Sequence, residues 1–162
     1  MSEYRFIAMP QETADRVRRT MKSPGYGHPA HREAASGYGP CRLCLRTFDV
    51  GKEERILFTL DPFYELEDLP LPSPVFIHAD ECKRYDEGAG FPDQLRSHPL
   101  TLNGYARGRR LLVQEYVEDG NVEAGLDRVF SHTDVAYVHV RDTRAGCYDL
   151  RVERRIEEGQ QP

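Results

Sequence analysis

Through four segments of the second half of the chain, apolar residues recur at nearly every other position, and this period of two restricts the fold more than any other property of the sequence. Side chains alternate between the two faces of a strand, so such segments must become half-buried strands that lay one face on a core. Leu100 to Ala106 and Arg109 to Val117 flank Arg107-Gly108 and read as a hairpin with Leu102 opposite Val113 and Gly104 opposite Leu111. Val135 to Asp142 and Cys147 to Arg154 form a second hairpin. Between the two, Asp119-Gly120 turns the chain into a helix capped by Asn121, whose Val122, Leu126, Val129 and Phe130 form one stripe.

The first half is more varied. Tyr4 to Met9 reads as a strand, and Pro10 opens a helix in which Ala14, Val17 and Met21 share a face while Arg16, Arg18 and Arg19 face away. Ser23-Pro24-Gly25 stops it, and the breakers from Ser23 to Pro40 argue against regular structure there. A strand carrying Ile56, Phe58 and Leu60 follows a turn at Asp49 to Lys52. Asp61 to Pro74 is a proline-rich, acidic surface connection, and Val75 to His78 is a short strand. Strands and helices do not alternate as they would in a doubly wound sheet. The expected class is α+β, with a mainly antiparallel sheet and two helices on one face, residues 1–156 forming a single domain and 157–162 a loose tail.

Composition removes several function classes. With 27 acids, 22 bases and a net charge of −5, the chain lacks the positive field of a general nucleic-acid binder. No apolar run is long enough for a membrane helix, and no basic start followed by an apolar stretch marks an export signal, so a cytoplasmic location is the expectation. In a reducing compartment the 4 cysteines read as thiols, metal ligands or buried apolar residues rather than as disulfides. Arginine outnumbers lysine 19 to 3, which suits planar recognition of carboxylate or phosphate but also follows from GC-rich coding.

Two clusters carry chemistry. If Arg141 pairs with Cys147 across the last turn, His139 lies opposite Asp149 and Tyr137 opposite Arg151, all on one face, with Ala136, Val138, Val140, Tyr148, Leu150 and Val152 on the core side. That polar face resembles the needs of a thiol nucleophile: Cys147 or Cys41 to attack, His139 as base, Asp149 to orient it, and Arg141 or Arg42 to bind an anion. An ordinary polar sheet face with cross-strand pairs has the same residues.

The second cluster is Cys41-Arg42-Leu43-Cys44 with His78 and Cys82, a C-x2-C pair followed at distance by H-x3-C. Thiolates and imidazole in two close pairs are the donor set of a structural zinc site. Zinc is therefore the candidate cofactor, through Cys41, Cys44, His78 and Cys82. Against it, no glycine follows Cys44; a helix here would make Cys41, Cys44, Leu45 and Phe48 an apolar stripe, and a strand would point the first two thiols apart. A redox C-x2-C motif lacks its preceding strand, and His28 with His31 reads as exposed histidine in a loop.

Pro40-Cys41-Arg42, Ser73-Pro74-Val75-Phe76, Val138-His139-Val140-Arg141 and Gly146-Cys147-Tyr148 occur in an order that resembles a bacterial family catalogued as domain of unknown function 1203. The resemblance covers nearly the whole chain and implies a bacterial source and a single domain, but no activity. Function therefore rests on the residues. One reading is a pocket for an anionic small molecule, or a thiol-dependent enzyme, built from Cys41, Arg42, His139, Arg141, Cys147 and Asp149; the other is a non-catalytic interaction domain stabilised by zinc.

Overall fold

A computed structural model describes residues 2–64 and 73–156. Most of the acidic connection and the C-terminal tail lie outside the described residues. Among the described residues ten strands and α-helices follow one another, with a short 3-10 helix at Asp93–Leu95 between the fifth and sixth of them: β1 (Tyr4–Ile7), α1 (Gln11–Thr20), β2 (His31–Ala34), β3 (Glu54–Leu60), β4 (Ser73–His78), β5 (Leu100–Ala106), β6 (Arg110–Val117), α2 (Val122–Phe130), β7 (Tyr137–Asp142) and β8 (Tyr148–Arg154). They make two antiparallel sheets, β1-β8-β7-β5-β6 and β2-β3-β4. The antiparallel α+β class holds, and each helix serves a different sheet. The α2 stripe of Val122, Leu126, Val129 and Phe130 packs with Leu102, Val138, Val140, Leu150 and Val152 of the larger sheet. Ala14 and Val17 of α1 pack instead with Ile56, Phe58, Val75 and Ile77 of the smaller one.

Asn121 caps α2 by accepting a hydrogen bond from the Ala124 amide, as its position before the apolar stripe suggests. Three local readings change. Within the breaker-rich loop, His31 to Ala34 forms the fully exposed edge strand β2, held by pairing with β3 and by Arg32–Glu54 and Arg55–Glu33 ion pairs. Its four residues have no alternation to show, because charge rather than burial covers this edge. In the β5–β6 hairpin, Leu102 faces Glu115 and Gly104 faces Val113, since the register shifts between Gly104 and Tyr105. The third change is at the last hairpin, where His139 pairs with Arg151, Val140 with Leu150, and Arg141 with Tyr148 rather than with Cys147.

The shift between Val140 and Arg141 leaves Asp149 as an extra residue, a β-bulge. Strict alternation would set Tyr148 beside Leu150 and Val152 under α2. The bulge instead turns Tyr148 to the opposite face, where its ring meets His139 at 4.9 Å and joins the core of the smaller sheet. Tyr148 is thus a residue of the large sheet that belongs to the second core.

Gly104 shows how tightly the first core is closed. A Cβ there would lie 2.7 Å from Val129 Cγ1 and 2.8 Å from Val113 Cγ1. Gly104→Ala should destabilise by about 1–3 kcal/mol through overpacking. Thermal unfolding checks this, and an unchanged midpoint would contradict it.

Candidate metal centre

The residues Cys41 to Arg46 form neither helix nor strand. The Leu45 amide donates to the Cys41 carbonyl at 2.9 Å and the Cys41 amide to the Arg46 carbonyl at 3.0 Å, closing a tight turn. Leu45 sits in the left-handed region at φ 58°, the backbone conformation for which glycine is the usual choice after a metal-binding cysteine pair. Its side chain is buried in the first core, so burial offsets a backbone cost of about 1–2 kcal/mol. The absent glycine therefore does not prevent the knuckle. Arg42 N–H donates to the Phe76 carbonyl, and Cys41 bridges Phe76 in parallel, which docks the turn on β4 beside His78.

Beyond β4 the chain bends back and delivers Cys82. The donor atoms of Cys41, Cys44, His78 and Cys82 all lie within 4.8 Å of one another. Cys41 Sγ is 3.9 Å from Cys82 Sγ, and Cys44 Sγ is 3.3 Å from His78 Nδ1. Tetrahedral zinc with bonds of about 2.3 Å to sulfur and 2.0 Å to nitrogen requires donor separations of about 3.8 and 3.5 Å. The chain thus carries a buried Cys3His cluster that could hold a metal.

Protonation of the four groups is shared. Burial raises the Cys41 thiol, but hydrogen bonds with Cys44, Cys82 and His78 outweigh it and hold Cys41 well below its ordinary value. Hydrogen bonds with Cys41 and Cys82, together with burial, push Cys44 far up. Burial lowers His78, yet the Cys41 and Cys82 sulfurs carry it up to about 10. A thiolate beside an imidazolium is the charge pattern of a ligand set whose protons a metal would displace.

The surrounding residues escape pattern reading. Arg18, placed on the outward face of α1 by its spacing, folds back: its guanidinium donates to the His78 and Asp80 carbonyls and lies 3.4 Å from Cys82 Sγ. Glu53 Oε2 is 3.3 Å from His78 Nε2, where a carboxylate would orient the imidazole if it held a metal. Arg46 pairs with Glu53 at 2.5 Å and holds that carboxylate down to about 2. Arg46 Nη2 also lies 2.9 Å from Nε2; when Nε2 carries a proton, in the imidazolium or with Nδ1 on a metal, it cannot accept from Arg46, which then turns onto Glu53. Three thiolates around a divalent ion would leave one negative charge, and Arg18 and Arg46 stand beside the cluster.

The hairpin candidates divide among three places. His139, Arg141 and Cys147 line one cavity, whereas Cys41 lies in the metal cluster, and Arg42 and Asp149 pair with each other at 3.2 Å in the interior. Asp149 does not orient His139, because the bulge moves the register and puts Arg151 opposite the imidazole. Arg42 instead donates to the Tyr148 carbonyl at 2.6 Å and the Pro40 carbonyl at 2.5 Å. Arg141 closes the β7–β8 turn on the Gly146 carbonyl, and the half-buried Cys147 thiol donates weakly to Ala145 at 3.7 Å.

The chain is a mixed α/β protein with two antiparallel sheets and a Cys3His cluster between its smaller sheet and a preceding knuckle. It belongs to the family described as protein of unknown function (DUF1203), which matches residues 38–154 and so spans all four cluster residues. Comparison with curated proteins and with solved structures finds no match. No helix among the described residues is long and apolar enough to cross a membrane.

Two buried groups of the hairpin titrate in opposite senses. Burial, with Arg151 and Arg141 adding, lowers His139 to about 3, so the unfolded chain binds more protons between about pH 3 and 6.5 and stability falls on acidification through that window. Burial raises Asp149 to about 7 against the pull of Arg42, so its contribution is full below about pH 4 and is lost as pH rises toward 7. His139→Phe should therefore gain stability relative to wild type as pH falls from 7 to 4, whereas Asp149→Asn should gain on the wild type as pH rises over the same range. Unfolding midpoints across this range test both, and a difference independent of pH would contradict the assignment.

Proposed function

We propose that this protein is a non-catalytic domain stabilised by zinc through Cys41, Cys44, His78 and Cys82. The observation that carries the reading is the convergence of four soft donors from two separate segments within 4.8 Å. Three thiolates with one imidazole select zinc over hard cations. Four protein ligands complete a tetrahedron, leaving no position for water, so the metal is structural and Glu53 orients His78 rather than acting as a base. The thiol-enzyme reading lacks its orienting carboxylate, since Asp149 is spent on Arg42.

A zinc centre joins the 41–46 knuckle, β4 and the turn to Cys82, so its binding energy, of order 10 kcal/mol in small zinc modules, adds to folding. Protein produced with zinc in the medium and purified without chelators should contain about one zinc per chain by elemental analysis, the stoichiometry of a single closed site. Zinc below about a tenth of an equivalent would overturn the proposal. Cys82→Ser should lose zinc and unfold at a markedly lower temperature, whereas Cys147→Ser should retain both zinc and midpoint.

A further inference from the structure

Away from the metal cluster, a cavity of about 210 Å³ opens between the start and end of the acidic connection and the β7–β8 turn. It is smaller than the roughly 300–1,000 Å³ of sites for drug-sized ligands, which limits an occupant to about one ring. Its walls include Phe63, Tyr105 and Tyr148, and no carboxylate is found among its described lining residues. His139, only 2% exposed, lines it and leaves Nε2 without a hydrogen-bond partner. A buried polar atom left unsatisfied destabilises the empty site, and a ligand that bonds to it removes that cost.

Arg141 is the single charged residue of the described lining. Its Nε and Nη2 both donate to the Gly146 carbonyl, and it has no carboxylate partner among the described residues. No carboxylate among the described residues faces the guanidinium beside the aromatic wall. His139 and Arg141 are two residues apart on β7 and share a face, which separates their Cα atoms by roughly 6.6 Å. A six-membered ring with polar groups at opposite ends spans that interval.

We propose that this cavity binds a single-ring aromatic carboxylate with a second hydrogen-bonding substituent. The carboxylate faces Arg141, the ring lies among Phe63, Tyr105 and Tyr148, and the distal hydroxyl or ring nitrogen meets His139 Nε2. Three properties carry this: a cation with no carboxylate partner among the described residues, an aromatic lining whose described residues include no acid, and a buried imidazole nitrogen with no partner. Neutral imidazole can accept from a hydroxyl or donate to a ring nitrogen, so either substituent satisfies it. The inference goes beyond the zinc assignment and does not depend on it.

The test titrates the full-length protein, as purified with its metal, with 4-hydroxybenzoate, 4-hydroxybenzamide and benzoate, following the ring resonances of labelled histidine by NMR. With 4-hydroxybenzoate, the His139 signals should move and saturate. The amide should bind about 10-fold more weakly, because it lacks the charge that Arg141 meets, and benzoate should bind more weakly because Nε2 stays unpartnered. His139→Phe should fold and lose most of the affinity. Equal affinity for acid and amide, no saturation at millimolar concentration, or shifts confined to His28, His31, His98 or His132 would overturn the proposal. The three-ligand comparison uses unaltered protein, so it decides the matter even if His139→Phe fails to fold.

Discussion

The two sheets are joined by one buried cation. Arg42, between the first two cysteines, is 2% exposed, and its guanidinium reaches the Asp149 carboxylate, the Tyr148 carbonyl and the Pro40 carbonyl. A guanidinium in the interior is tolerable only when its donors and charge are met: the two carbonyls accept from it and the Asp149 carboxylate opposes its charge. The β8 bulge provides two of these three groups. Without the extra residue Tyr148 would lie under α2 rather than on the face toward the smaller sheet. Removing Asp149 alone would leave Arg42 charged and unpaired in a dry environment, a more costly state than replacing both groups with apolar ones.

The same residue ties the ion pair to the metal cluster. Arg42 belongs to the turn that presents Cys41 and Cys44, so fixing its side chain against the large sheet also fixes the orientation of that turn over β4. On the other side Arg18 grips the His78–Cys82 bend by its carbonyls. Three arginines, 18, 42 and 46, thus hold three parts of the centre: the bend, the knuckle and the carboxylate behind the imidazole. The abundance of arginine in the chain acquires a local meaning here, since each of these positions uses the planar, multiply donating head that lysine lacks.

Much of the element order is legible along the chain. The hairpins, the capped helix α2, the helix after Pro10 and the β3 and β4 strands follow from period and punctuation. The Cys3His cluster is legible too, because C-x2-C and H-x3-C are short-range patterns. What is not legible has a common cause. The positive φ of Leu45, the return of Arg18 and the pairing of β2 are each stabilised by atoms from distant segments: the first core, the His78–Asp80 carbonyls and the edge of β3. Local rules weigh a residue against its neighbours and therefore favour glycine, an outward arginine and a loop at these positions.

The last hairpin marks the boundary most clearly. Alternation from Val135 to Arg154 by itself determines that two strands pair and that Val138, Val140, Leu150 and Val152 form a core face. It also places His139 and Arg141 on one side of one strand, which survives any register. Only the tertiary structure decides that Asp149 is extra, that it serves Arg42 instead of His139, and that Tyr148 crosses to the second core. A bulge costs little within the hairpin itself, so its position is selected by what lies outside: a buried guanidinium that needs acceptors, on a segment more than a hundred residues earlier.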